Sequence, residues 1–429
     1  MKHNKLALLG GDKAVTEDFP IYNAMGEEEV EAASAVIRSG ELSGFLAGWG
    51  DKFEGGKNVK LFEEEWAAYF GVKHAITVNS WTSGLVAMVG AIGISPGDEV
   101  IVPPWTMCAT ATAVLMWGGI PVFADIEPDL FCIDPQSVRK NITSKTKAIL
   151  SVDIFGQSSD MSELRKIADD HGLFLLSDTA QAPGAKIYGE LTGTMSDIGG
   201  FSLNYHKHIH TGEGGVLVTD DDTLALKLKL IRNHGEASVG SSGLENITNI
   251  IGGNYRLGEI EAAIGRIQLK KLQSRLQLRE KIVGMLFNGL SSLQGLQLPK
   301  IRHNCTHVFY TFPILLDIEI LGIDRQKIVN ALLAEGVKGI EGGYAIVHTL
   351  PIFQEKIAMG DKGFPWSYSE SRSDIDYSKG ICPVAERYHD KLFLNLELAE
   401  LSLDLREVAM IVEAFRKVWS NLHQLKTKC

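Results

Sequence analysis

Lysine and histidine side chains alternate in the segment NYHKHIHTGEGG, residues 204–215. In an extended chain His206, His208 and His210 would share one face, and such a set could hold a metal ion. Lys207 would then point to the opposite face, shortly before a glycine-rich turn. A lysine in that place can be desolvated, which lowers its pKa and makes it a nucleophile. The segment therefore leaves metal binding and nucleophilic catalysis both open.

Polar residues also follow two other strand-like segments. Asp178 comes after LFLLS, and Thr82 lies in WTSGL after HAITVNS. A carboxylate at the end of an apolar strand needs a cation or strong donors, and the free amides of a helix N-terminus suit a phosphate. Each residue alone also fits an ordinary helix cap or ion pair. Together with Lys207, however, they supply the three contacts that pyridoxal phosphate requires: a phosphate anchor, an acid for the ring nitrogen and an amine for the aldehyde.

The chain resembles the sugar aminotransferases of the DegT/StrS type, a branch of the fold-type-I pyridoxal-phosphate enzymes. The resemblance runs from about residue 19 to the last helix and includes the spacing from Asp178 to Lys207. It rests on the segments GDEVIVPPWTMCATA, DTAQAPGA, GGFSLNYHKHIHTGEGG, IRNHG, GGNYRLGEIEAA and CPVAERYHDKLFLNL. The resemblance implies an α/β fold with a mostly parallel seven-stranded sheet sandwiched by helices in a large domain, and a smaller C-terminal α/β domain.

The resemblance also implies roles for individual cofactor-site residues. Lys207 matches the lysine that is joined covalently to the cofactor, and Asp178 the acid that pairs with the pyridine nitrogen. Gln181 matches the residue beside the ring hydroxyl, while Thr82 and Ser202 match phosphate ligands. We expect the cofactor to be pyridoxal 5'-phosphate.

Further residues of the expected site are less regular. Trp81 stands in the phosphate loop where the family usually has a glycine. The aromatic residue that often covers the ring is replaced by Met107, with Trp105 two residues earlier, and the sequence leaves open which of the two covers it. Asn254 matches an asparagine that reaches the phosphate of the neighbouring subunit, which implies a homodimer with shared active sites. The expected substrate contacts are Arg256, His206 and Trp105.

The composition limits the class of protein. The chain has 429 residues, 45% hydrophobic and 22% charged, which is typical of a folded protein. Its formal charge of -11 and the lack of a basic cluster argue against nucleic acid as a partner. No apolar run is long enough for a signal peptide or membrane helix. The five scattered cysteines are typical of reduced thiols, so we expect a cytoplasmic protein without a structural metal site.

Short apolar strands alternate with helical patterns between about residues 60 and 220, which predicts an α/β fold with a largely parallel sheet. The segment GGVLVTD follows the previous strand too closely for a crossover helix, so we expect it to run antiparallel. We predict a large domain over residues 20–270, a small one over 271–429 and an N-terminal arm over 1–19. The segment FLAGWGDKFEGGKN, residues 45–58, is expected to form a surface loop whose aromatic residues either contact a partner or pack the loop down.

The expected function is transfer of an amino group from L-glutamate or L-glutamine to a keto- or aldehyde-sugar, nucleotide-linked in the first instance, in amino-sugar biosynthesis. The resemblance leaves open two other uses of the same cofactor, dehydration of a deoxysugar and amination of a ketocyclitol such as scyllo-inosose. Lys207 favours transamination, because dehydratases of this family have histidine in its place. A non-enzymatic, histidine-rich metal-binding protein is the alternative from a different class.

Overall fold

The computed structural model describes residues 5–372 and 374–426. Two sheets and a short hairpin contain the strands of these residues. The strands are β1 (His74–Val78), β2 (Glu99–Val102), β3 (Ile120–Phe123), β4 (Thr146–Val152), β5 (Phe174–Asp178), β6 (Lys186–Ile187), β7 (Glu190–Leu191), β8 (Ile198–Ser202), β9 (Gly215–Thr219), β10 (Leu296–Gln297), β11 (Thr311–Leu316), β12 (Ile340–Gly342) and β13 (Phe393–Glu397).

Helices separate most of the strands. They are α1 (Glu27–Ser39), α2 (Lys57–Phe70), α3 (Trp81–Ala91), α4 (Ala109–Met116), α5 (Pro135–Asn141), α6 (Met161–His171), α7 (Asp222–Arg232), α8 (Val239–Ser242), α9 (Glu259–Leu290), α10 (Ile318–Leu321), α11 (Arg325–Ala334), α12 (Pro351–Gln354), α13 (Pro383–Arg387), α14 (Leu405–Ser420) and α15 (His423–Lys426). Helix α6 ends at His171 and is followed by the cap residue Gly172, whose φ of 64° suits a residue without a side chain.

The larger sheet has the strand order β1-β9-β8-β5-β4-β2-β3 within the described residues. Neighbouring strands from β8 to β3 pair in parallel, whereas β9 is antiparallel to both β8 and β1. The segment GGVLVTD forms β9, so its predicted antiparallel direction is confirmed. Helices cover both faces of this sheet. Leu217 of β9 lies in the hydrophobic core on one face, and its neighbours Val216 and Val218 lie in the core on the other face. The predicted fold class is confirmed.

The smaller sheet has the order β10-β11-β13-β12 and is antiparallel. Its core also contains apolar side chains of α9, α11 and α14, and the N-terminal residues Leu6, Val15 and Phe19. Helix α9 spans 32 residues and contributes to the cores of both sheets. The predicted boundary between residues 270 and 271 falls inside this helix, and the domain division stays a prediction. Residues 1–4 and 427–429 of the predicted arm and small domain lie outside the described residues.

The predicted surface loop over residues 45–58 ends in the first turn of α2. Phe45 and Phe53 are buried, so they pack the loop down, whereas the Trp49 side chain is 43% exposed. Phe45 and Phe53 therefore hold the loop against the core. Of these three aromatic residues, only Trp49 is exposed enough to contact a partner.

The cysteines of the described residues, Cys108, Cys132, Cys305 and Cys382, are free thiols, and Cys429 lies outside these residues. No described helix combines the length and apolarity that crossing a membrane requires. The cytoplasmic location stays a prediction.

Candidate active site

The ends of two neighbouring strands form the floor of the site. Asp178 is the last residue of β5, and Ser202 is the last residue of β8. The two strands pair in parallel, with Asp178 opposite Gly200. Ligands of α/β proteins bind at this edge of a parallel sheet, where the strands end and the loops begin. Asp178 and Ser202, both predicted cofactor contacts, therefore lie at the same edge of the larger sheet.

The carboxylate of Asp178 is buried and is bound by three donors. The Trp81 indole Nε1 donates to Oδ1 at 2.7 Å, and the Thr110 hydroxyl donates to Oδ2 at 2.9 Å. The backbone amide of Ala180 donates to Oδ1 at 3.2 Å. Burial raises the pKa of Asp178, while these hydrogen bonds and the charge of Lys207 act to lower it. A cation beside this carboxylate would favour its ionised form.

The amine of Lys207 is buried beside a phenol. Lys207 lies in the turn after β8, where its amide donates to the Asn204 carbonyl at 2.9 Å, and its side chain is 8% exposed. Its Nζ lies 3.3 Å from the Tyr310 hydroxyl oxygen and 4.3 Å from the centre of that ring. Burial lowers the pKa of Lys207 to about 8, against the opposing charges of Asp178 and Glu397. Such an amine exchanges a proton readily near neutral pH.

Gln181 links the site to the smaller sheet. Its Oε1 accepts from the Phe155 amide at 2.7 Å, and its Nε2 donates to the Tyr344 hydroxyl at 3.2 Å. Burial raises the pKa of Tyr344 to about 12, so this phenol stays protonated at neutral pH. Both ends of the amide are held, which fixes the orientation of Gln181 close to Asp178.

The N-terminus of α3 offers backbone amides to an anion. Ser80 caps the helix by accepting from the Ser83 amide at 3.1 Å, which leaves the amides of Trp81 and Thr82 for an external acceptor. The Thr82 side chain is exposed. These groups fit a phosphate.

Asn254 and Arg256 lie near this helix end of the same chain. The Asn79 side chain donates to the Asn254 carbonyl at 3.1 Å, and the Arg256 Nε donates to the Asn254 Oδ1 at 2.8 Å. The Asn254 side chain is exposed. Its predicted contact with a neighbouring subunit stays a prediction.

The three histidines do not lie along an extended strand, because residues 205–209 turn. The His208 Nε2 lies 2.9 Å from the Val308 carbonyl oxygen, and the Gly212 amide donates to the His210 Nδ1 at 3.3 Å. The His206 Nδ1 lies 3.8 Å from the Glu400 carboxylate. Within the described residues, no three His, Cys, Asp or Glu side chains are grouped as a metal site. The histidines contact separate parts of the chain.

Trp105 is not where the sequence led us to expect it. Its side chain has no exposed surface and packs against Phe131, Phe155 and Phe393, with ring centres 5.6, 5.9 and 4.8 Å away. A side chain enclosed in this aromatic cluster cannot contact a substrate or cover a cofactor, so the expected role of Trp105 is wrong. Met107 is 57% exposed at the start of the next turn, which leaves it as the residue able to cover a ring.

These residues fit pyridoxal phosphate. The anion-binding helix end suits the phosphate, the buried Asp178 suits a protonated ring nitrogen, and the buried Lys207 suits the aldehyde. The carboxylate and the amine are close enough for each charge to shift the pKa of the other group.

Sequence reasoning missed three contacts of the site. Thr110 lies in the first turn of α4, three residues after Met107, and its hydroxyl binds Asp178. In the sequence, the only local sign of this role was a hydroxyl side chain that follows a strand. Tyr310 and Tyr344 come from segments 103 and 163 residues away from their partners Lys207 and Gln181. No local pattern marks such long-range contacts.

Comparison with known proteins identifies the family. The model of the DegT/DnrJ/EryC1/StrS aminotransferase family matches residues 24–373. The chain is 37% identical over 284 residues to a GDP-perosamine synthase of Caulobacter vibrioides, covering 66% of this chain and 75% of that protein. It is 30% identical to the L-glutamine:2-deoxy-scyllo-inosose aminotransferase of Streptomyces kanamyceticus, covering 97% of both.

Solved structures agree with this match. The aminotransferase from Psychrobacter cryohalolentis has a TM-score of 0.81 at 26% identity, covering 95% of this chain and 100% of that chain. A GDP-4-keto-6-deoxymannose-3-dehydratase with a trapped PLP-glutamate geminal diamine has a TM-score of 0.74 at 25% identity, covering 93% and 100%. The predicted amino-sugar function, enzyme class and cofactor are confirmed at the level of the family. The chain belongs to the DegT/DnrJ/EryC1/StrS aminotransferase family and is a pyridoxal-phosphate-dependent aminotransferase.

Proposed function

We propose that this chain transfers an amino group from L-glutamate or L-glutamine to a keto- or aldehyde-sugar, with Lys207 as the covalent and proton-transferring residue. The observation that carries the proposal is a buried amine and a buried carboxylate at one sheet edge, with the pKa of Lys207 lowered to about 8 by burial. Surface lysines lack this combination of desolvation and a nearby fixed anion.

The residues divide the work as follows. Bound pyridoxal phosphate supplies an electron sink for the donor's α-carbon. Asp178 would hold a proton on the ring nitrogen of that group, and the Lys207 amine would hold its aldehyde and act as the base and acid that moves a proton at the donor's α-carbon. Gln181 would lie beside the ring hydroxyl, and Met107 would cover the ring. The Tyr310 hydroxyl, 3.3 Å from the Lys207 amine, orients that amine.

The phosphate end of the site uses backbone and hydroxyl groups. The Thr82 hydroxyl, the Ser202 hydroxyl and the first amides of α3 bind the phosphate, since the positive end of the helix dipole favours an anion there. Arg256 and His206 contact the substrate. Burial, followed by the charges of Lys207 and His210, lowers the pKa of His206 to about 4, so His206 offers a neutral ring to a sugar hydroxyl at neutral pH.

We propose a nucleotide-linked sugar as the first acceptor to test, because the relative with 37% identity is a GDP-perosamine synthase. Lys52 and Lys57 are exposed within the segment over residues 45–58 and are the candidate contacts for a diphosphate. A ketocyclitol is the second candidate, since the relative that matches 97% of this chain is a 2-deoxy-scyllo-inosose aminotransferase that takes L-glutamine. The first acceptor carries a nucleotide, whereas the ketocyclitol does not.

Dehydration of a deoxysugar is the rival reaction, and a dehydratase is among the similar structures. Lys207 argues against it, because this amine can complete the transfer that a dehydratase avoids. A histidine-rich metal-binding protein is disfavoured, since the His208 ring is held beside the Val308 carbonyl.

The chain acts as a homodimer with shared active sites under this proposal. Exposed apolar side chains lie on residues 42–49 and on residues 247–251. The Asn233 side chain donates to the Leu46 carbonyl and joins the first segment to the part of the chain that leads to the second. Such an exposed apolar surface is typical of a protein interface. The side chains are Leu42, Leu46, Trp49, Ile247 and Ile251. Asn254 then reaches the phosphate in the partner's site.

The test is transfer of labelled nitrogen. The enzyme with pyridoxal phosphate is given α-¹⁵N-glutamate or α-¹⁵N-glutamine, and either GDP-4-keto-6-deoxymannose or 2-deoxy-scyllo-inosose. Mass spectrometry should find the label in one acceptor, and Lys207→Ala should abolish it. The exposed lysine variant Lys186→Ala is the matched control and should retain transfer. A deoxygenated, unlabelled sugar would establish the dehydratase instead, and absence of label from both acceptors would refute these substrates.

A further inference from the structure

The indole of Trp81 lies directly against the carboxylate of Asp178. Its Nε1 donates to Oδ1 at 2.7 Å, the shortest of the three hydrogen bonds to this group that the structure describes. Both side chains are buried. Trp81 is also the first residue of α3, so one residue connects the anion-binding helix end to the carboxylate. A hydrogen bond to an ionised and buried acceptor is stronger than one between neutral groups.

Two glycines provide the space that the indole fills. A Cβ atom on Gly200 would lie 2.1 Å from Cη2 of Trp81, and one on Gly84 would lie 2.7 Å from Cε3. Neither position tolerates a side chain while the indole stays in place, because both distances are below the 3.0 Å limit of real contacts. Gly200 is also the residue opposite Asp178 in the sheet. The packing therefore fixes the direction in which the indole N–H points.

The hydrogen bonds leave a defined acceptor position on the carboxylate. A carboxylate has about four acceptor positions, two on each oxygen. Trp81 and the Ala180 amide occupy the two on Oδ1, and the Thr110 hydroxyl occupies one on Oδ2. One position of Oδ2 remains, which is the number that a protonated ring nitrogen needs.

We infer that Trp81 is a positioning residue for Asp178. The Trp81 indole N–H orients the Asp178 carboxylate so that Oδ2 receives the ring nitrogen of the cofactor. This role rests on the proposed pairing of Asp178 with that nitrogen. A tryptophan that only filled space would stabilise the fold without changing the properties of Asp178. The hydrogen bond from Trp81 is also the first of the interactions that offset the effect of burial on the pKa of Asp178.

The first experiment observes the hydrogen bond itself. The chain contains seven tryptophans, whose indole groups can be labelled with ¹⁵N and observed by NMR with and without pyridoxal phosphate. The Trp81 signal, assigned from its loss in Trp81→Phe, should shift in Asp178→Asn and should stay in place in the exposed-residue variant Asp51→Asn. In the wild type, where sequential backbone assignment identifies the same signal without any Trp81 variant, it should also titrate with Asp178. An indole signal that ignores both Asp178→Asn and pH would overturn the inference.

The second experiment measures binding of pyridoxal phosphate over a range of pH. Trp81→Phe keeps an aromatic side chain, although a smaller one, and loses the N–H donor, so we expect affinity to fall about 10-fold or more, with the loss growing as the pH is lowered. Trp117→Phe is the matched control, because the Trp117 indole also donates at 2.7 Å, to the Val86 carbonyl, and packs against Gly90 of α3. It should leave affinity and its pH dependence unchanged.

The outcomes separate the inference from the proposed function. If Asp178→Asn weakens cofactor binding while Trp81→Phe behaves like Trp117→Phe, the role of Trp81 is refuted and the pairing of Asp178 stands. If Asp178→Asn itself leaves binding and its pH dependence unchanged, the pairing of Asp178 with the ring nitrogen is refuted, and the inference is refuted with it.

Discussion

The Lys207 amine lies 3.3 Å from the Tyr310 hydroxyl oxygen and 4.3 Å from the centre of the same ring. The phenol therefore contacts the amine in two ways, through a hydrogen bond and through its π face. Burial raises the pKa of Tyr310, so its hydroxyl stays protonated. The hydroxyl can orient the amine without competing for its proton.

Replacing Tyr310 by phenylalanine separates the two contacts. The Tyr310→Phe variant keeps the ring and loses the hydroxyl, so we expect kcat to fall about tenfold with little change in KM. Steady-state kinetics of amino transfer measures both constants. Tyr188→Phe, at a tyrosine that is 59% exposed, is the control and should behave as the wild type. An unchanged kcat in Tyr310→Phe would show that the hydroxyl does not act on the amine.

The low pKa of Lys207 predicts a pH-dependent stability of the protein without cofactor. Burial lowers this pKa from 10.5 to about 8, so between these values the unfolded chain binds a proton that the folded protein lacks. Stability should therefore rise with pH through this window. Relative to Lys207→Met, the wild type should gain about 3 kcal/mol of unfolding free energy from pH 8 to 10.5. Urea unfolding measures the gain, and the exposed Lys52→Met should show none. A constant difference between Lys207→Met and wild type would contradict the buried, perturbed amine.

His208 should make the protein sensitive to acid. Its pKa is lowered from 6.5 to about 3, first by burial and then by the charge of Arg279, so the folded protein holds the neutral ring. Below about pH 6.5 the unfolded chain binds a proton that the folded protein does not, and stability falls as pH falls. Between pH 7 and 4.5 we expect His208→Gln to lose about 3 kcal/mol less than the wild type. Chemical unfolding at both pH values checks this, with the exposed His171→Gln as control. Equal losses in His208→Gln and wild type would exclude the neutral buried ring.

If each active site contains residues of both subunits, mixing two inactive variants should restore part of the enzyme activity. Lys207→Ala and Asn254→Ala should each have low activity alone, because each dimer site would lack one contribution. After co-refolding of equal amounts, the mixed dimer contains one intact site, so about one quarter of the wild-type activity should return. Size-exclusion chromatography tests whether the refolded protein is a dimer. Activity no greater than the sum of the two separate variants would place both residues in the same subunit's site.

Sequence reasoning succeeded where the position of a residue in the fold follows from local chain order. Asp178 ends a strand and Lys207 follows the next strand of the sheet, so their place at one edge could be predicted from strand ends alone. It failed for Trp105, because the pattern PPWTM does not show which aromatic or sulfur-containing side chain turns inward. The structure encloses Trp105 in the aromatic cluster and exposes Met107.

Contacts between distant segments were beyond the reach of local patterns. Tyr310 lies next to β11 of the smaller sheet, 103 residues after Lys207, and its contact depends on how the two sheets pack. The histidines were also ambiguous, since their alternation suggested an extended strand and residues 205–209 instead turn. Packing and turns of this kind depend on the whole chain.

The central claim is that one amine, that of Lys207, binds the cofactor covalently. The direct measurement is borohydride reduction of the purified enzyme with pyridoxal phosphate, followed by proteolysis and mass spectrometry of the peptides. We expect a pyridoxyl group on the peptide that contains Lys207, and none on any peptide of Lys207→Ala treated in the same way. A pyridoxyl group on a different lysine of the wild type, or no covalent attachment at all, would contradict the proposed role of Lys207.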